Sequence, residues 1–209
     1  MLSNVISTRR EHLMRERSVK DLVESQRKSL RNQIWFTRKT RIRTAERLLS
    51  NQFHSNVILI WYSFLTFAIS IYALEKSNFI GQDRDVIMTI ATGAVFSLSL
   101  FLPQLELKTR YENVKKNYIA LHSLYVESAF CATKDDIIKV QEQYSELLNA
   151  VENQTRLDLL YFLQFDAASD CSMKNDFFDT LSVYLYLAIR TSAITLAYTL
   201  PPWLIMYYV

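Results

Sequence analysis

The chain has 209 residues, half of them hydrophobic, 13% aromatic and 22% charged. Two glycines, three prolines and two cysteines leave too little turn chemistry for strand-and-turn architectures, and exclude a disulfide framework or a cysteine-rich metal centre. The net charge of +3 conceals an asymmetry: residues 1–56 hold 13 Lys+Arg against 5 Asp+Glu, and residues 106–179 hold 8 against 13.

Residues 1–54 are expected to form a basic helical arm. They carry no apolar core with a small-residue cleavage site, so the start does not read as a signal peptide. Arg9 to Ser50 contains neither Gly nor Pro. Leu13, Val19, Leu22, Val23, Leu30 and Ile34 give only a ragged apolar face. Arg38, Lys39, Arg41, Arg43 and Arg47 precede the first apolar run. Their plainest role is to set topology. Contact with anionic lipid is a second reading, and nucleic acid is not expected as a partner.

Residues 55–105 are expected to form a transmembrane hairpin. SNVILIWYSFLTFAISIYAL, Ser55 to Leu74, and VIMTIATGAVFSLSLFLPQL, Val86 to Leu105, are two 20-residue runs without a charge, each long enough to cross about 30 Å of hydrocarbon. The link Glu75–Asp85 holds Gly81. Basic flanks on both sides put the N-terminus in the cytoplasm and the link outside. Ser63, Thr66 and Ser70 share one face of the first run. In the second, Thr89, Gly93 and Ser97 recur four apart, with Thr92 and Ser99 on a neighbouring face. Small residues let helices pack closely, so Thr89, Gly93 and Ser97 are the packing candidates. A hydroxyl-lined path between several copies is the alternative role for Thr92, Ser99, Ser63, Thr66 and Ser70.

Residues 106–176 are expected to form a cytoplasmic helical hairpin. Leu107, Tyr111, Val114, Tyr118, Leu121 and Tyr125 are spaced 4, 3, 4, 3, 4 and read as an association seam, on a helix continuous with the second span. Thr133 with Asp136 reads as a capping box. It starts a helix with stripe Ile137, Val140, Tyr144, Leu147 and Val151, expected to reach about Phe165. A polar linker, Asp166 to Asp176, follows.

Residues 177–209 form a third apolar stretch with Arg190 inside it. Thr191 to Val209 is just long enough for one span, with Arg190 at the cytoplasmic interface and Pro201-Pro202 kinking or breaking it. A re-entrant or protein-buried segment is the rival reading. With Thr191 to Val209 as the span, Phe177 to Ile189 would lie in the interface.

Nothing in the chain points to catalysis. His12, His54 and His122 share no ligand spacing. No phosphate loop or nucleophile elbow is present, and neither of the first two spans carries an ionisable residue. No enzyme activity, cofactor or metal is expected.

The approach to the first span reads IWFTRKTRIRTAERLLSNQFHSNVILIWYS, Ile34 to Ser63. A basic helix with R-I-x-x-A-E-R-L leading into two spans resembles the SLATT family, two-transmembrane proteins associated with SMODS nucleotide synthases and SLOG nucleotide sensors in bacterial conflict systems. It is similar to the subgroup found beside reverse transcriptases. The resemblance covers about Ile34 to Phe165, and the C-terminal apolar stretch departs from a two-span plan. It implies an all-α effector of antiphage defence in the bacterial inner membrane. Such an effector would self-assemble when an upstream sensor fires, a reverse transcriptase or a nucleotide synthase product, and permeabilise the bilayer. The alternative is a non-conducting anchor that recruits a soluble partner through its cytoplasmic helices.

Overall fold

The computed structural model describes residues 2–75, 84–166 and 175–208, and the side chains of 19–75, 85–166 and 175–203. The link residues 76–83 with Gly81, the linker residues 167–174 with Cys171, and the side chains of His12 and Leu13 lie outside the described residues. Six helices follow in order: α1 Leu2–Glu75, α2 Arg84–Gln104, α3 Leu107–Glu127, α4 Lys134–Asn149, α5 Arg156–Phe165 and α6 Phe177–Tyr208. No strand occurs among the described residues. With three helices long and apolar enough to cross a membrane, this is an all-α membrane protein.

The basic arm and the first span are one helix, α1. No Gly or Pro interrupts residues 2–75, so no carbonyl in its interior loses its amide donor. Two expected continuities fail. α2 ends at Gln104 and α3 starts at Leu107, with Glu106 left-handed at φ 46° between them. Pro103 lies in the last turn of α2. That turn closes with short-reach bonds, from the Leu105 amide to the Leu102 carbonyl at 3.2 Å and from the Glu106 amide to the Pro103 carbonyl at 3.1 Å. A left-handed residue after the last turn is a usual helix stop. α4 stops at Asn149 rather than running to Phe165, for a reason given below.

The compact units cut across the expected segments. One comprises Met1–Thr44 with Asn113–Asp158, and the other Ala45–Glu112 with Leu159–Val209. In the first unit, the α3–α4 hairpin packs on α1. Leu30 and Ile34 of α1 meet Leu121, Leu124, Cys131, Ile137, Val140 and Tyr144. The α4 box is present as expected: the Asp136 amide donates to Thr133 Oγ1 at 3.2 Å, and the Thr133 amide donates to Asp136 Oδ2 at 2.9 Å. Hydrogen bonds from the Thr133 side chain first, then from the Thr133 and Ala132 amides, hold the Asp136 carboxyl below its usual range. Burial pushes the Cys131 thiol up, which suits a packing role over a reactive one.

In the second unit, α5 and α6 clasp each other. Asn175 Nδ2 donates to the Leu160 carbonyl at 2.9 Å, and Thr180 Oγ1 to Gln164 Oε1 at 3.2 Å. The Phe165 and Tyr184 rings meet edge-on at 6.1 Å. Phe162 and Val183 are buried. Phe177 to Ile189 is therefore the first part of a helix packed on α5. Pro201 and Pro202 lie inside α6 without ending it.

Candidate functional site: an open spanning helix and a buried polar layer

The second span is open on one face: Thr89, Gly93 and Ser97 are exposed, while Met88, Ala91, Val95, Ser99 and Leu102 are half-buried. None of the most apolar stretch of α2 is buried by the rest of the chain. Val86, Ile90, Phe96, Leu100 and Phe101 are all exposed. A Cβ built on Gly93 would meet no atom within 4 Å. The close approach that a glycine permits is thus not made inside one chain. If Thr89, Gly93 and Ser97 pack against anything, it is a second molecule.

The hydroxyls of both faces are occupied by their own helices. Thr89 Oγ1 donates to the Asp85 carbonyl at 2.6 Å, Thr92 Oγ1 to Met88 at 2.8 Å, Ser97 Oγ to Gly93 at 2.8 Å and Ser99 Oγ to Phe96 at 2.6 Å. On α1, Ser63, Thr66 and Ser70 donate to Leu59, Tyr62 and Thr66, each at 2.8 Å. A hydroxyl satisfied in this way can face lipid without an orphaned donor. It also keeps oxygen lone pairs for whatever lies opposite.

The seam expected on α3 is used inside the chain. Val114 and Leu121 are buried, Leu121 in the core shared with Leu30 and Ile34 of α1. The buried stripe of α3 is Val114, Asn117, Leu121 and Leu124, rotated from the expected one. Leu107, Tyr111, Tyr118 and Tyr125 flank it, half-buried. The Tyr125 ring lies under two guanidinium groups, with Arg31 Cζ at 4.6 Å and Arg38 Cζ at 5.5 Å from its centre. Arg38 Nη1 also contacts His122 Nδ1.

Of the membrane-proximal basic residues, Arg38, Lys39, Arg43 and Arg47 are half-buried, but Arg41 is not at a surface at all. It is 1% exposed. Its Nη1 donates to Asn117 Oδ1 and, at 2.9 Å, to the Leu147 carbonyl; its Nη2 donates to the Leu148 carbonyl at 3.1 Å. Asn117 Nδ2 joins the same Leu147 oxygen at 2.8 Å. This explains the end of α4. Its last-turn carbonyls are taken by a cation, which also suits the negative end of the helix dipole. Burial pushes the guanidinium below its usual range, yet an Arg stays charged.

Polar contacts continue on either side of Arg41. Thr37 Oγ1 and the Tyr144 hydroxyl are 2.7 Å apart, and Thr44 Oγ1 donates to Asp158 Oδ2 at 3.0 Å. Asp158 in turn closes the first turn of α5 with Thr155: the Asp158 amide donates to Thr155 Oγ1 at 3.3 Å, and the Thr155 amide to Asp158 Oδ2 at 3.2 Å. Sequence reasoning missed this layer. One signal was legible, because T-R-L-D repeats the pattern of T-K-D-D at α4. The other was the spacing of Leu30, Ile34, Thr37, Arg41 and Thr44 by 4, 3, 4 and 3, obscured because three of the five residues are polar. Among the described residues, no cluster of His, Cys, Asp or Glu could hold a metal.

A family profile, that of the SMODS and SLOG-associating 2TM effector domain family 5, matches residues 23–208. The chain belongs to that family. The match takes in the lead-in helix, the hairpin, the helices that follow and the C-terminal apolar helix. α6, expected to depart from the family plan, is part of what this SLATT member shares with its relatives. The description counts two spans, whereas the structure has three helices long and apolar enough to cross. No curated protein and no solved structure matches the chain. Family membership makes it a membrane effector of conflict systems.

Proposed function

We propose that this effector acts by self-assembly in the bacterial inner membrane, with its N-terminus in the cytoplasm, and permeabilises that membrane during phage infection. The observation that carries the reading is the open face of α2 at Thr89, Gly93 and Ser97, with nothing within 4 Å of a Cβ at Gly93. A face left open in its own chain is available to other copies. Small residues at Thr89, Gly93 and Ser97 favour close packing there. Thr92 and Ser99 would then line the path, presenting lone pairs to it rather than donors, which favours cations over anions. In this reading the upstream trigger is a reverse transcriptase or a nucleotide synthase product; the family's association with SMODS supports the second.

Because Val114 and Leu121 of the expected association seam on α3 are buried, the half-buried Leu107, Tyr111, Tyr118 and Tyr125 are what that seam leaves for a trigger to engage. The scaffold reading, in which the chain recruits a soluble partner without conducting, is separated by one experiment. The chain is expressed with its genomic neighbours, the system is triggered, and dye uptake and membrane potential are followed. Collapse of the potential supports perforation. Growth arrest with the potential intact rejects it and leaves the scaffold. Ser99→Leu is expected to block leakage while sparing assembly, if hydroxyls line the path.

A further inference from the structure

Arg190 stands in the middle of α6, directly before the uncharged residues Thr191 to Val209. Its Nη2 donates to Ser50 Oγ at 2.9 Å and to Asn51 Oδ1 at 3.1 Å, both on α1. These partners lie one turn ahead of Ser55, where the uncharged run of α1 begins. The apolar runs of α1 and α6 therefore start at one level, and the guanidinium is fixed at that level. Further along both helices, His54 Nδ1 and the Tyr198 hydroxyl are 3.3 Å apart, so α6 enters its apolar run in the same direction as α1.

The charge of Arg190 has no acidic partner among the described residues. Ser50 and Asn51 are neutral, and Arg190 makes no ion pair among the described residues. A guanidinium has five N–H donors. Two are taken here, and Nε and the two on Nη1 remain. Arg190 is half-buried, and neither Nε nor Nη1 is a buried, unpartnered atom, so the remaining donors are accessible. A cation merely reaching for water would not be clamped by two hydrogen bonds. Here the clamp holds the planar group in place, which is what paired recognition of a phosphate needs. The anion found where hydrocarbon begins is the lipid phosphate. Arg47, one turn before Asn51, adds positive charge on α1 near that level.

We infer that Arg190, held by Ser50 and Asn51, is a binding site for the phosphate of an anionic phospholipid. The site goes beyond the proposed perforation, since it needs neither assembly nor conduction.

The test is native mass spectrometry of the full chain, purified in detergent and titrated with phosphatidylglycerol, with phosphatidylcholine, and with phosphatidylglycerol in the presence of inorganic phosphate. The wild type is expected to prefer phosphatidylglycerol. Arg190→Gln is expected to lose about fivefold in that affinity, the worth of one basic group at an anionic surface, with a smaller loss for phosphatidylcholine, whose choline cation offsets the phosphate charge. Arg190→Lys keeps the charge without the planar fork and is expected to fall between. A Ser50→Ala, Asn51→Ala double variant leaves α6 untouched, so it reads the clamp even if Arg190→Gln fails to insert; it is expected to weaken binding in the same direction. Unchanged phosphatidylglycerol binding in both Arg190→Gln and the double variant overturns the inference. So does full displacement of the lipid by inorganic phosphate, which would assign the site to a free anion.

Discussion

Arg41 Nη1 donates to the carbonyl oxygen of Leu147 at 2.9 Å, joining the middle of α1 to the last turn of α4. The contact places a full charge where it is 1% exposed, with neutral acceptors only. Such a charge is costly to desolvate, and its loss orphans Asn117 Oδ1 and the Leu148 carbonyl, while Asn117 Nδ2 still holds the Leu147 oxygen.

Arg41→Ala is therefore expected to destabilise the first unit by about 3 kcal/mol, from unpaired carbonyls and a large void. Arg41→Met fills the void without pairing the carbonyls and is expected to cost about half as much. Hydrogen exchange should show the loss first at residues 147–149. Equal protection in wild type and Arg41→Ala would show that the cation is not what stops α4.

At α4's other end, the pH dependence follows from Asp136. Its carboxyl is held below the usual range, first by the Thr133 side chain and then by the Thr133 and Ala132 amides. A depressed folded-state pKa gives stability that is present above the unfolded value, about 3.9, and lost as pH falls through the folded value. Asp136→Asn should thus melt below the wild type at neutral pH, with the gap closing below about pH 4. A constant gap down to pH 2 would assign the effect to hydrogen bonding alone.

Glu106 is a non-glycine residue at φ 46°, where a Cβ is crowded. Glu106→Gly is expected to raise stability by up to about 1 kcal/mol, read as a higher melting temperature in detergent. Destabilisation would mean that the Glu106 side chain holds the α2–α3 corner in some other way.

Gly93→Leu should leave the monomer's fold and expression intact, since a Cβ there meets nothing within 4 Å. Crosslinking in membranes should lose its higher species, because leucine holds the facing backbones apart. Oligomers that survive the substitution would place the contact on another face of α2 or on another span.

Much was legible without coordinates because the signals are local. Uncharged runs of 20 residues must be helices in a bilayer, since lipid offers the backbone no partners. The Thr133 box was readable for the same reason, being complete within four residues. The misread helix ends were not local. α4 stops because a cation from α1, 106 residues away from Leu147, takes its carbonyls. The α3 stripe was misassigned by one position in its phase because Tyr and Leu are both apolar enough to fill it. Only the helices packed against it select Asn117 and Leu124 over Tyr118 and Tyr125.

By itself, the sequence determined an all-helical membrane protein with a basic lead-in, two uncharged spans and a third apolar run. Apolar length and charge suffice for that, because both act residue by residue against water and lipid. The tertiary structure decided what each polar residue in those helices is for. Arg41, read as one more basic residue before a span, became the buried cap of α4. Arg190, read as a lone charge in an apolar run, became a clamped cation with donors to spare. A side chain's charge is written in the sequence, but its partners come from distant segments, and the partners decide whether that charge is spent or free.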